Sequence, residues 1–543
     1  MFVVFGPALS GEFLHWDDDK NFLVHERWRG LGFEQLRWMF TTTHMGPYQP
    51  LTWLSWACDN ALFGLDAQAF HRTNIALHAL ATLAVFALAR SLFAITCAES
   101  GSTRRTWSAA LAALLFALHP LRCESVCWIT ERRDVLSGLF FAVCICAWLR
   151  WTTRRSRAGY VLSVVCALLS LLSKASAIVL PALLLVLDVW PLARLRLTEF
   201  ASWRARIVEK LPFVALSIVF GIVAIRGQAA AGGALRSLED HGLAARAAQS
   251  AYGLVFYPAK TVWPSALTPL VAMPDPFEPS EPRFVLAGLV VALVTVSAWM
   301  LRKRAPALVT ALVLFALAIA PVLGLTQAGK QLVADRYSYL ACMPFALLAA
   351  GALLRSRWPD VVKCGVALLA LGALAIATHR QARVWHDDES LWGHALALDA
   401  NDAEALLHLG MSREGLATRH AIASERVRLL REALGFFERG EQCAKAPQYS
   451  IDIAVVCEKL ALELPTESDA WLAQARAALA RGFERAEQQH ILEPEWLFER
   501  AVVAYRSGEI AGSVGDFRAF VALRPDDLAA RRALALALLQ LGR

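Results

Sequence analysis

Residues 107–151 read WSAALAALLFALHPLRCESVCWITERRDVLSGLFFAVCICAWLRW. Two apolar runs, about 107–121 and 135–151, flank a short loop, Arg122–Asp134, that holds nearly every charge of the stretch. In lipid only helices and closed barrels satisfy their own backbone. The stretch therefore predicts two membrane helices joined by a charged loop.

Read outward, the same pattern recurs at about 74–96, 159–173, 176–191, 211–226, 284–301, 307–325, 336–354 and 361–378. An N-terminal run, Met1–Leu9, is too short for a bilayer that needs ~20 residues. It reads as the remnant of a first helix, with no cleavable signal evident. The expectation is an all-α polytopic bundle of about eleven spans. Composition agrees: 57% of the 543 residues are apolar, against ~45–50% in soluble proteins.

The net charge of +7 sits in loops and does not point to nucleic acid. Arg104 and Arg105, Arg150 to Arg157, Arg194 to Lys210, Arg302 to Arg304, and Arg355 to Lys363 fall in every second loop. Basic loops stay cytoplasmic. The alternate loops then face outward, together with the C-terminal domain. A long outer loop, 227–283, contains a Pro-rich run that ends at Pro282.

One outward loop opens with WDDDKNF, residues 16–22. A charge at membrane depth costs roughly 2.5–3.5 kcal/mol. Three adjacent carboxylates at a helix mouth therefore suggest use, and Asp17 and Asp18 are the candidate catalytic base. Residues 28–65 interleave Trp38, Trp53, Trp56, Phe40 and Phe63 with polar groups. They predict two short interfacial helices broken by Pro47 and Pro50. The same outward face receives His119, Glu124, Glu131, Arg132, Asp134, Lys174, Arg336 and Tyr337. Arg and Lys there suit a phosphate, and a carboxylate suits proton abstraction from a hydroxyl. Each also has an ordinary structural reading: capping for His119, interface anchoring for Lys174, internal pairing for the acids and arginines.

Near Trp385 the composition shifts to Ala, Leu, Glu and Arg at helical spacing. Residues 1–384 form the membrane domain and 385–543 a second one. Ala501, Gly508, Phe517 and Pro525 fall close to tetratricopeptide spacing, with a departure near 417–430. Such an α-solenoid presents a concave face to a polypeptide. Of eleven cysteines, Cys123 with Cys127 and Cys443 with Cys457 share a loop or domain, without zinc-site company. Asp17 and Asp18 supply only part of a hard-cation site, so no metal is expected, and no cofactor beyond a co-substrate.

WDDDKNF (16–22), GPYQPLTWLS (46–55), HRTNIALH (71–78), the block 117–140, the block 171–192, YPAKTVWPSALTPL (257–270) and DRYSYL (335–340), followed by the repeats, resemble the transmembrane-and-tetratricopeptide (TMTC-like) proteins, bacterial relatives included. The resemblance implies a GT-C-like glycosyltransferase related to the protein O-mannosyltransferases, resident in a bacterial inner membrane. It implies transfer of a sugar, mannose first among candidates, from a polyprenyl phosphate to a hydroxyl, Ser or Thr of an exported protein held by the repeats. It assigns Asp17 and Asp18 to the acidic motif, with Asp18 the preferred base. Arg132, Lys174 and Arg336 bind the donor phosphate, and His119, Glu124, Glu131, Asp134 and Tyr337 support them. The competing expectation is a catalytically inactive, membrane-anchored repeat scaffold. A transporter fits less well, because the charges gather on one face rather than at midplane.

Overall fold

The computed structural model describes residues 1–196, 198–230, 236–274, 276–325 and 329–542. The chain divides into two compact units, Met1–Asp387 and Asp388–Arg543.

The first unit does not begin with an α-helix. Its start is a series of turns and a 3-10 turn, Gly6–Ser10, where Pro7 removes a backbone donor. Two helices, α1 (Phe33–Thr41) and α2 (Pro50–Phe63), follow on either side of the Pro47 break. Their tryptophans are not an interfacial belt. Trp53 and Trp56 are buried against Phe22, Trp28 and Phe70, and the exposed aromatics are Phe33, Phe40 and Phe63.

In chain order come α3 (Ala67–Thr96), α4 (Ser102–Ala117), the short α5 (Cys123–Cys127), α6 (Arg132–Arg154), α7 (Arg157–Ser173), α8 (Leu180–Val189), α9 (Phe200–Ala230), α10 (Leu243–Val262), α11 (Pro282–Leu301), α12 (Pro306–Ile319), the single-turn α13 (Ser338–Ala341), α14 (Met343–Arg355) and α15 (Asp360–Val384). Among the described residues, α3, α6, α9, α11 and α15 are long and apolar enough to cross a membrane. Two more candidate spans are bent: α4 with Pro120–Cys127 by 60°, and Asp335–Ala341 with α14 by 55°. The bends sit at Pro120 and Pro344, since proline cannot continue the hydrogen-bond ladder. Arg157–Ser173, Ala175–Val189 and Pro306–Val322 are apolar but shorter. Of the eleven expected spans, five to seven are therefore met at spanning length among the described residues and three only as shorter apolar helices, while Met1–Leu9 forms no α-helix; the unit is that of an all-α, multi-pass membrane protein.

The expected loop 227–283 is largely ordered. Helix α9 runs on to Ala230, and α10 lies within the loop. Its Val271–Ala272 then pairs antiparallel with Gln331–Val333, Val271 opposite Val333. Residues 231–235 and 275 of that loop lie outside the described residues.

A buried arginine ties three helices together. Arg132, at the first position of α6, is fully enclosed and ion-paired to Asp59 of α2 at 2.6 Å. Its Nε donates to Asn74 Oδ1 of α3 at 2.6 Å, and its other nitrogens donate to Ser55 Oγ at 3.1 Å and the Phe70 carbonyl at 2.9 Å. A buried cation is tolerated only when its donors are met in this way.

In the second unit, α16 (Asp388–Leu398), α17 (Ala403–Arg419), α18 (Ala423–Cys443), α19 (Pro447–Glu463), α20 (Ser468–Gln488), α21 (Pro494–Arg506), α22 (Ile510–Leu523) and α23 (Leu528–Gln540) pack as successive helical neighbours. Phe437, Tyr449, Ile453, Cys457 and Ala475 lie in its core. Small residues permit the close approach: a Cβ on Gly410 would stand 2.4 Å from Phe437, and one on Gly440 2.2 Å from Tyr449. The departure expected at 417–430 is only a tight turn between α17 and α18. Gly508, with φ +83°, makes the turn between α21 and α22. Cys123, Cys127, Cys443 and Cys457 are unbridged.

Removing the Arg132 side chain strands Asp59 in the interior. Arg132→Ala is expected to cost about 3–5 kcal/mol, read as a lowered thermal midpoint of the detergent-purified protein.

Candidate functional site

The first turn of α6 sets the site. Consecutive helical residues point about 100° apart, so Arg132 turns into the helix packing while Arg133 turns the other way. Glu131 precedes the helix and Asp134 lies in its first turn, where the helix dipole favours negative charge.

Glu131 is completely buried and accepts three cations. Arg133 bonds its Oε1, Lys174 reaches Oε2 at 2.9 Å, and Arg336 Nε stands 3.4 Å from Oε1. Lys174 is placed by the end of α7, whose last carbonyl at Ser173 accepts from Thr52. Lys174 also bonds Asp134 Oδ1 at 2.7 Å, and Asp134 Oδ2 accepts from Ser125 at 3.1 Å. Arg336 sits on the 3-10 turn Asp335–Tyr337. It pairs with Glu124, whose Oε2 also accepts the Arg336 backbone N–H at 2.6 Å. Its guanidinium lies over the rings of Trp16, Trp128 and Tyr337, at 5.9, 5.5 and 5.1 Å. Trp16 and Trp128 stack 4.6 Å apart, with Trp385 alongside. A cavity of about 20 Å³, room for one water, lies between Lys174, Arg336, Asp134, Tyr337 and Pro321.

The two aspartates differ sharply. Asp18 is fully enclosed and both of its carboxyl oxygens accept hydrogen bonds. Oδ1 accepts the Thr130 N–H at 3.0 Å and hydroxyl at 2.6 Å, and Oδ2 accepts the Leu14 N–H at 3.1 Å. Burial pushes its pKa up to about 8 against the pull of those donors. Asp17 has a left-handed backbone, φ 68°, a conformation that is strained for most residues and clusters at functional sites. It is only half-buried. Among the described residues no hydrogen-bond or ion-pair partner stands against its carboxylate. Burial raises its pKa, while the nearby charges of Arg133, Lys20 and Arg336 act in the other direction.

The structure thus brings Glu124, Glu131, Asp134, Lys174, Arg336 and Tyr337 into one cluster with Asp17. It does not bring Arg132, whose donors are spent on Asp59, Asn74, Ser55 and Phe70. His119 also stands apart. Its Nδ1 accepts the Leu121 N–H and its Nε2 meets the Thr261 carbonyl at 3.0 Å, a cap at the bend. Sequence reasoning passed over Arg133, whose Nε is buried without an acceptor, and the aromatic wall of Trp16 and Trp128. A lone Asp59 inside an apolar helix was the available sign that one of the adjacent arginines is structural.

A multi-pass all-α membrane protein with a buried acid–base cluster beside one free carboxylate defines the class. No family model matches the chain. It is similar to Protein O-mannosyl-transferase tmtc2 of Xenopus laevis, 29% identical over 218 residues, 38% of this chain and 24% of that protein. It is similar to TMTC2 of Homo sapiens, 29% over 205 residues, 35% of this chain and 23% of that one. TMTC1 of Homo sapiens is 33% identical over 159 residues, 27% of this chain and 17% of that one. The TMTC-like resemblance is thus found, and the chain spans less than a quarter of the length of these curated relatives.

Because the Asp18 carboxyl is raised from 3.8 to about 8, the stability it contributes is full below the lower value and is lost as pH climbs through the upper one. Between about pH 6 and about pH 9 the thermal midpoint of the native protein should therefore fall more than that of Asp18→Asn.

Proposed function

We propose that this protein is a membrane glycosyltransferase that moves a sugar, mannose by analogy with the names of its relatives, from a polyprenyl phosphate to a Ser or Thr hydroxyl of an exported protein. The reaction lies on the extracytoplasmic face of a bacterial inner membrane. The helical repeats, on the same face, hold the polypeptide acceptor.

The observation that carries this reading is Asp17, left-handed and with no hydrogen-bond or ion-pair partner for its carboxylate among the described residues, close to Arg133 and Arg336, which with Lys174 converge on Glu131. Asp17 takes the acceptor hydroxyl proton. The oxygen attacks the anomeric carbon of the sugar, the bond from that carbon to the phosphate oxygen breaks, and its electron pair leaves with the phosphate. The three cations meet the charge that grows there, which is where preorganised donors act most strongly. A carboxylate with a raised pKa is the better base for a hydroxyl. Asp18 is the scaffold of this loop rather than the base, because both of its oxygens are buried and hydrogen-bonded to Leu14 and Thr130. The scheme needs no cofactor beyond the lipid-linked donor.

One observation favours the second reading, an inactive scaffold: Lys174 and Arg336 are already paired with two acids each and Arg133 with one, and the cavity between Lys174 and Arg336 has room only for a single water.

Purified full-length protein, radiolabelled polyprenyl-phosphate mannose and a Ser/Thr-rich exported protein decide between them. Asp17→Asn should lower kcat by about 10²–10⁴ with an unchanged thermal midpoint. Wild-type rates in Asp17→Asn would remove Asp17 from the chemistry. No transfer by the native protein across several donors and acceptors would favour the scaffold.

A further inference from the structure

Glu131 has more partners than an ion pair requires. Cations from three separate elements converge on its two oxygens: Arg133 from α6, Lys174 from the end of α7, and Arg336 from the turn before α13. Carboxylate and phosphate present the same kind of twin acceptor oxygens to a guanidinium. A set of donors that closes on Glu131 is therefore also shaped for a phosphoryl group.

The neighbouring contacts show which partners would remain if Glu131 withdrew. Lys174 would keep Asp134 at 2.7 Å. Arg336 would keep Glu124, through both its side chain and its backbone N–H. Only Arg133 would lose its carboxylate, and its Nε is already buried without an acceptor. Three cations would then face the space vacated by one side chain, and two of them, Lys174 and Arg336, also line the small cavity. That cavity is too small for a phosphate while Glu131 stays in place.

We propose that Glu131 is an internal place-holder. In the donor-free protein its carboxylate occupies the position that the donor's phosphate takes on Arg133, Lys174 and Arg336, and the incoming anion displaces it. The inference rests on the lipid-phosphate donor proposed above and adds a regulation of that site. Without an anion, the buried cations are neutralised and the protein keeps its fold. With one, the energy of breaking the Glu131 contacts is subtracted from the binding energy, which lowers the apparent affinity. A ligand without a phosphate gains nothing in exchange.

The test is binding, measured by calorimetry on the full-length protein in detergent with a short-chain polyprenyl phosphate, the matching polyprenyl alcohol, and inorganic phosphate. Glu131→Gln removes the competing charge and is expected to bind the polyprenyl phosphate roughly tenfold more tightly, with the alcohol unaffected. Equal or weaker binding by Glu131→Gln would overturn the place-holder and leave the donor reading standing. Failure of both native and variant protein to bind the lipid phosphate would overturn the donor reading itself. Inorganic phosphate binding as tightly as the lipid would assign the site to free phosphate and overturn the lipid source. If Glu131→Gln does not fold, Glu131→Asp retains the charge but sits one methylene further from Arg336. It should still bind more tightly than the native protein, and native-level binding would overturn the proposal.

Discussion

The buried carboxylate of Glu131, held by Arg133, Lys174 and Arg336, is the interaction on which the rest of the membrane unit depends. Taking several charges out of water is expensive, several kcal/mol per ion even after relaxation. The arrangement survives because no member stands alone: Asp134 supports Lys174, Glu124 supports Arg336, and Ser125 supports Asp134. The elements that carry these residues must end where they do. The bend at Pro120, the end of α7 at Ser173 and the turn Asp335–Tyr337 all bring polar side chains to one level of the bundle. Broken spans are costly in lipid, and here the break points are also the positions of the charges.

A second charged assembly makes the first possible. Arg132 binds Asp59, Asn74, Ser55 and Phe70, and so locks α2 and α3 against the start of α6. With that residue fixed, the helical rotation presents Arg133 to Glu131 and brings its charge to bear on Asp17. Asp18 secures the other side by clamping Thr130 and Leu14. Two adjacent aspartates and two adjacent arginines divide the same labour: one of each pair builds the scaffold, the other faces the site.

Much of this was legible in the chain. Apolar runs marked the membrane helices, and the charged residues between those runs marked the acids and bases that gather. The positions Glu124, Glu131, Asp134, Lys174, Arg336 and Tyr337 follow from that reading. The choice within adjacent pairs was not legible. Sequence order does not say which of Arg132 and Arg133, or of Asp17 and Asp18, turns inward, because a helix start or a left-handed residue decides it. Trp53 and Trp56 were misread as interfacial for a related reason. An aromatic stretch looks the same whether it meets lipid or packs on Phe22, Trp28 and Phe70. Helix α10 was hidden because its small residues and Pro258 read as loop.

In the mechanism proposed here, one anion position beside Asp17 serves Glu131 and a donor phosphate in turn. It is tested most directly by an electron cryo-microscopy structure of the full-length protein in lipid nanodiscs with a polyprenyl phosphate bound. Phosphate oxygens are expected within hydrogen-bond distance of Arg133, Lys174 and Arg336, with Glu131 turned away from them and Asp17 open toward the acceptor side. A phosphate bound elsewhere, with Glu131 still holding all three cations, would contradict it.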